Sequence, residues 1–181
     1  MWINNSIYIT CRNEYFTVAI MDNSIVPLVS YETTPLMRML GNGELLLKQE
    51  KKGMLTETGA SSKTALSVQG SPLVWSVAPS DLVVHFPYVL SLQPDQIEVH
   101  STFSWKLFQR ISVSSGLTSS TNSSTLSGLR GFVPRNTALV GYEELYVLAH
   151  SERSIFALTA PKYPTQAESL LNSGNIEEGL F

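Results

Sequence analysis

Short apolar runs separated by polar turns recur along most of this chain, and that punctuation limits its fold more than any other feature. Asp81 to Val113, DLVVHFPYVLSLQPDQIEVHSTFSWKLFQRISV, shows it best. Val, Ile, Phe, Tyr and Leu dominate its runs, the residue types that suit a pleated, half-buried surface. Tyr88 to Leu92 is apolar on both faces and predicts a buried strand. Gln93-Pro94-Asp95 supplies turn chemistry, because Pro presets φ and Asp hydrogen-bonds its own backbone. Beyond it, Ile97, Val99 and Ser101 alternate with Glu98 and His100, a period of two that predicts a strand with one wet face. Trp105 to Val113 alternates again, so Phe103–Trp105 is expected to turn between two such strands.

The same layout returns as IYITC–RNE–YFTVAI and LYVLA–HSE–RSIFAL, and Leu36 to Leu47 makes a fourth hairpin around Gly41-Asn42-Gly43. Gly and Asn supply the positive φ of a tight hairpin. A phosphate loop would need Gly-Lys-Ser/Thr and a helix start after the glycines, and neither follows. Pro27 places the run Ile25–Tyr31 at a sheet edge or strand start. Further strands are expected around Met54 and Leu55, at Leu73–Val77 and at Thr137–Tyr142. The turn centres fall around the spacing of a propeller blade, about 40 to 50 residues. An antiparallel-bladed β-propeller is therefore predicted ahead of a β-sandwich.

Two stretches break the pattern. In Ser114–Ser127, ten of fourteen residues are Ser or Thr. With so little to bury, the segment cannot offset the entropy of ordering, and it is expected to be a flexible insert, phosphorylation-regulated or simply tolerated. After Pro161 and Pro164 the period changes. Thr165 and Glu168 form a capping-box pair, Ala167, Leu170 and Leu171 give one apolar face, and Gly174 stands where a helix stops. Asn175, Glu177 and Glu178 begin a second helix. Residues 1–160 thus read as blades, and 161–181 as a short C-terminal α-helical segment.

Composition narrows the function classes. The 181 residues carry 12 Lys and Arg against 15 Asp and Glu, a net charge of −3, with no basic stripe for nucleic acid. Lys48, Lys51 and Lys52 are expected to form a solvated turn. The single cysteine, Cys11, excludes an internal disulfide and a cysteine-based zinc site, and is expected to be a small buried hydrophobe. No apolar run approaches the roughly 18 residues of a membrane span. MWINNSIYIT lacks the form of a signal peptide, so a cytoplasmic location is expected.

No catalytic residue, cofactor or metal ligand can be nominated. His85, His100 and His150 lie on separate hairpins: His85 near a strand end, His100 on a wet face, His150 in a turn. No Gly-x-Ser-x-Gly elbow singles out a serine. Asp81 with Asp95, or Glu143 with Glu144, are the carboxylate pairs open to a glycosidase-like site, but turn and surface roles explain them. A propeller-type hydrolase is the lesser alternative.

The order FPYVLSLQPDQIEVHS, ELYVLAHSERSIFAL, PTQAESLLNSGNIEEGL resembles the citron-homology (CNH) domain. More narrowly, it resembles the vacuolar-sorting tether subunits of the type that includes the TGF-beta-receptor-associated protein. In that family a CNH propeller precedes an α-solenoid of clathrin-type repeats with a Q-x-x-x-L-L-x-x-G-x-x-E-x-A-L opening. Gln166, Leu170, Leu171, Gly174, Glu177 and Leu180 match it, and Gly179 stands where Ala is usual. Trp2, Ile7 and Tyr15 match a family blade. The resemblance implies a non-catalytic interaction domain of an endosomal or vacuolar tethering complex, acting in vesicle-mediated transport and membrane fusion. The implied partners are other tether subunits and a Rab-type small GTPase, with peripheral association to endosomal or vacuolar (lysosomal) membranes. A receptor-signalling adaptor is the alternative. A whole CNH domain needs roughly 300 residues at about 40 to 45 per blade, so three to four blades and a solenoid stub are expected, as a piece of a longer protein. A closed four-bladed propeller is the other possibility. An open one would leave an unpaired edge on the Ile7–Cys11 side.

Overall fold

The computed structural model describes residues 1–3, 5–21, 23–40, 43–57, 73–113, 128–133 and 146–159. The chain divides into two compact units, residues 1–127 and 128–181. Among the described residues every regular element is a strand.

The first unit holds three four-stranded sheets. Sheet 1 comprises β1 (Trp2–Ile3), β2 (Ser6–Cys11), β3 (Glu14–Ala19) and β4 (Ile25–Ser30). Sheet 2 comprises β5 (Met37–Met39), β6 (Glu44–Gln49), β7 (Lys52–Glu57) and β8 (Leu73–Val74). Sheet 3 comprises β9 (Asp81–His85), β10 (Tyr88–Leu92), β11 (Gln96–Ser101) and β12 (Leu107–Ser112). Each is an antiparallel meander in which neighbours in sequence are neighbours in the sheet. The second unit holds β13 (Leu129–Phe132), β14 (Tyr146–Ser151) and β15 (Ile155–Thr159), paired in that order. Repeated four-stranded meanders are what a propeller is made of.

Period-two alternation stacks the sheets of the first unit. Along β6, Leu45 and Leu47 turn to one side and join Ile3, Tyr8 and Tyr15 of sheet 1. Leu46 turns the other way and joins Leu82 and Val89 of sheet 3, with Leu55, Leu73 and Trp75. Sheet 2 is therefore buried on both faces, which is why β6 reads as a continuous apolar run rather than an alternating one. Each such leucine withdrawn from water stabilises the fold by about 1.5–3 kcal/mol. Where β7 meets β8, a Cβ at Gly53 would lie 2.9 Å from Leu46 Cδ1 and 3.0 Å from Leu73 Cβ, so only glycine fits.

The turns follow the expected chemistry. Arg12 and Asn13 join β2 to β3 with φ of 49° and 65°, the pattern of a type I′ hairpin. Gly43, at φ 84°, leads into β6. Pro27 lies on β4, an edge strand, where its missing N–H costs nothing. Trp105, with φ 58°, turns the chain into β12.

Several expectations are corrected. Cys11 is exposed, because it ends β2 opposite Glu14, beyond the edge of the core. Lys48 is buried, not solvated: its Nζ donates to Thr33 Oγ1 (2.9 Å) and the Thr34 carbonyl (3.0 Å). Glu98 and His100 are buried too, so β11 has no wet face. His150 lies within β14 opposite Ile155, and Ser151 organises the turn instead. The Ile7–Cys11 edge is partly covered. Trp2 and Ile3 pair with Ile7 and Ser6, and the Tyr8 N–H donates to the Met1 carbonyl at 2.8 Å. The Ser114–Ser127 insert, the strand at 137–142, Glu143, Glu144 and the helices after Pro161 lie outside the described residues.

Candidate functional site

Three constructions in the first unit bring polar or exposed groups together. The first is a clasp between sheets 1 and 2. The Tyr15 hydroxyl, wholly buried, donates to the Lys48 carbonyl (2.8 Å) and accepts from the Leu36 N–H (3.0 Å). Its pKa is pushed up to about 12, chiefly by burial. Burial likewise lowers the pKa of Lys48, against the pull of Glu50. Above this clasp the β2–β3 and β6–β7 turns form the walls of a cleft of about 500 Å³. Arg12, Glu14, Glu32, Glu50, Lys51 and Lys52 line it with both signs of charge. Glu50 Oε1 accepts from the backbone N–H groups of Glu32 (2.7 Å) and Thr33 (3.2 Å), which fixes one wall.

The second construction is a polar lock at the β10–β11 turn. Glu98, only 1% exposed, accepts from Gln93 Nε2 (2.7 Å), the Ser76 N–H (3.3 Å), Gln96 Nε2 (3.3 Å) and Arg110 Nε (3.2 Å). Burial pushes its pKa up, but the hydrogen bonds from Ser76, Gln93 and Arg110 outweigh that and leave it lowered. His100, beside it on β11, has its pKa lowered, mainly by burial. Its Nδ1 is buried without a hydrogen-bond partner.

These placements bear on the candidate chemistry. Asp81 is held by Arg38 at 2.8 Å, while Arg38 also donates to the Leu82 carbonyl (2.6 Å), so the pair bolts β5 to β9. Asp95 lies exposed in the β10–β11 turn, at the other end of β9 and β10 from His85. His85 and His100 share sheet 3, His85 half-buried opposite Tyr88 and His100 buried beside Glu98, whose carboxylate is already taken up by Gln93, Ser76, Gln96 and Arg110. Among the described residues no group of three or more His, Cys, Asp or Glu is placed to hold a metal ion.

The third construction lies at the opposite end of sheet 3. The β9–β10 and β11–β12 turns emerge side by side there, since a meander returns alternate turns to one end. Phe86 and Phe103, 57% and 58% exposed, meet edge to face with centroids 5.5 Å apart. Tyr88 and Phe108 stack behind them at 5.4 Å. Neither the charged cleft nor this aromatic tip follows from the reading of the sequence. The tip had a signal, because turns rarely carry large apolar residues. The cleft had none, because its charged groups come together only when sheets 1 and 2 stack.

No protein-family model matches the chain. Vacuolar sorting protein 39 of Arabidopsis thaliana is 25% identical over 182 residues, a match covering 99% of this chain and 16% of the relative. Among solved structures, the AfRom2 CNH domain superposes with a TM-score of 0.55 at 12% identity, covering 89% of this chain and 49% of that one. The chain is thus similar along nearly its whole length to a vacuolar sorting protein, and its fold is that of a CNH domain. The N-terminal domain of Nup159 also aligns, at 10% identity and a TM-score of 0.44. The chain spans about half the length of the solved CNH domain and about a sixth of the Arabidopsis relative, with three four-stranded meanders and a three-stranded sheet among its described residues.

Proposed function

We propose that this chain is part of a CNH domain of the Vps39 type and serves as a non-catalytic interaction module of an endosomal or vacuolar tethering-complex subunit, acting in vesicle-mediated transport and membrane fusion. The likeness to a vacuolar sorting protein along 99% of the chain carries the reading. Other tether subunits and a Rab-type small GTPase are its partners, and peripheral association with endosomal or vacuolar membranes is its location. The mixed-charge cleft at the β2–β3 and β6–β7 turns is the face that we assign to protein contact. Its interleaved Arg, Lys and Glu suit a complementary protein surface, where charge sets specificity and encounter rate.

The test is affinity recovery with the tagged chain from cell lysate, in the presence of a GTP analogue or GDP, read by mass spectrometry. Tether subunits or a nucleotide-dependent small GTPase should be recovered, and Lys51→Glu with Lys52→Glu should deplete them. A folded bait that recovers neither overturns the reading.

A further inference from the structure

We propose that the Phe86–Phe103 tip inserts into the headgroup layer of an anionic lipid membrane. The proposal deepens the tethering reading by naming the surface that meets the membrane, and it rests on that reading only for the supposition that a membrane is at hand. The geometry is independent of it.

Both phenylalanines sit on turn tips. Phe86 follows His85 in the two-residue connection between β9 and β10, and Phe103 is central to the turn after Ser101. The turns are tied to one another: the Thr102 N–H and Thr102 Oγ1 both donate to the Pro87 carbonyl, at 2.8 and 2.9 Å. Ser101 Oγ accepts from the Phe103 N–H at 3.2 Å, and the Trp105 N–H donates to the Ser101 carbonyl at 3.0 Å. The aromatic pair is thus held out on a braced support, and inserting it costs little conformational entropy.

Size and charge decide which partner fits. Two phenylalanines at this exposure leave on the order of 200 Å² of apolar surface open. A standard protein interface needs roughly 800 Å² per partner, so a second protein copy is poorly served by this patch. A lipid interface asks for less, because a few aromatic side chains entering by about 5–10 Å gain both apolar burial and headgroup contact. Tyr88, stacked on Phe108 just behind, suits the wetter level of that interface. Residues 85–88 and 101–106 contain no carboxylate, and Lys106, exposed three residues after Phe103, belongs to the same β11–β12 connection. An ammonium placed there would lie among anionic headgroups while its stem follows the apolar surface.

Vesicle flotation of the full chain tests this, with phosphatidylcholine vesicles containing a minority of phosphatidylserine and with phosphatidylcholine alone. The chain should float with the anionic vesicles. Phe103→Ser should lower partitioning about tenfold, and Phe86→Ser with Phe103→Ser about a hundredfold. Lys106→Gln should cost about fivefold on anionic vesicles and nothing on neutral ones. All these side chains are exposed, so circular dichroism and melting should match the parent; if the double variant fails to fold, Phe103→Ser and Lys106→Gln still decide. Failure of the parent chain to float, or equal flotation of the Phe variants, overturns the tip. Self-association through the two phenylalanines without flotation overturns it too. Recovery of tether subunits by a chain that does not float would sink the tip and leave the tethering reading standing. Flotation without such recovery would do the reverse.

Discussion

Tyr15 ties sheet 1 to the neighbouring sheet through a single side chain. Its wholly buried hydroxyl holds the backbone at both Leu36, just before β5, and Lys48 on β6. Tyr15→Phe should therefore cost about 1–3 kcal/mol, read by urea unfolding, because a buried N–H and carbonyl lose their partner. Its pKa of about 12 adds a pH signature. Above pH 10 the unfolded chain releases this proton while the folded one retains it, so stability should fall as pH rises from 10 towards 12. The melting temperature of the phenylalanine variant should be less steep across that window. The sequence marked Tyr15 as an aromatic in an apolar run and as a match to a family blade, with no sign of what its hydroxyl holds. Its bonds are to main-chain atoms 21 and 33 positions away, which no local pattern encodes.

At the scale of elements, the hairpins were readable and the faces of one strand were not. The turns at Arg12-Asn13 and Gln93–Asp95, the edge placement of Pro27 and the turn through Phe103 all stand as the residues suggested. Each depends on local backbone chemistry. On β11 the alternation of apolar with charged residues implied water on one side, yet Glu98 and His100 are buried. Gln93, Ser76, Gln96 and Arg110 converge on Glu98 from two neighbouring connections, from the start of β11 itself and from β12, satisfying its carboxylate inside the protein. Polar periodicity thus reports a polar face without saying whether water or protein supplies the partners. The lock should make the fold acid-sensitive. Both Glu98 and His100 hold lowered pKa values. In each case the unfolded chain binds the proton more readily, so their contribution is complete at neutral pH. It is lost as pH falls below about 6.5 for His100 and below about 4.5 for Glu98. Glu98→Gln should lower stability at neutral pH by about 1–3 kcal/mol and flatten the lower part of the acid limb, measured as melting temperature against pH.

At the scale of the molecule, the first unit presents two unlike rims. The turns of β2–β3 and β6–β7 bear the charged cleft, and the far end of sheet 3 bears the aromatic tip. Functions placed on separate rims should be separable. Lys51→Glu with Lys52→Glu is expected to reduce protein recovery while leaving flotation unchanged, and Phe86→Ser with Phe103→Ser to do the opposite. In a combined variant the two losses should add, as for distant sites without shared partners.

The strict meander order of the sheets also sets a timetable. Each sheet pairs only segments adjacent in the chain, so the blades have low contact order and can form one after another as the polypeptide emerges from the ribosome. Sheet 2 is the exception to independence. Once it has docked on sheet 1, the side carrying Leu46, Leu55 and Leu73 stays open until Leu82 and Val89 arrive with sheet 3. During that interval the nascent chain carries a bare leucine surface, and a pause in synthesis between residues 75 and 90 would prolong its exposure to chaperones and to aggregation.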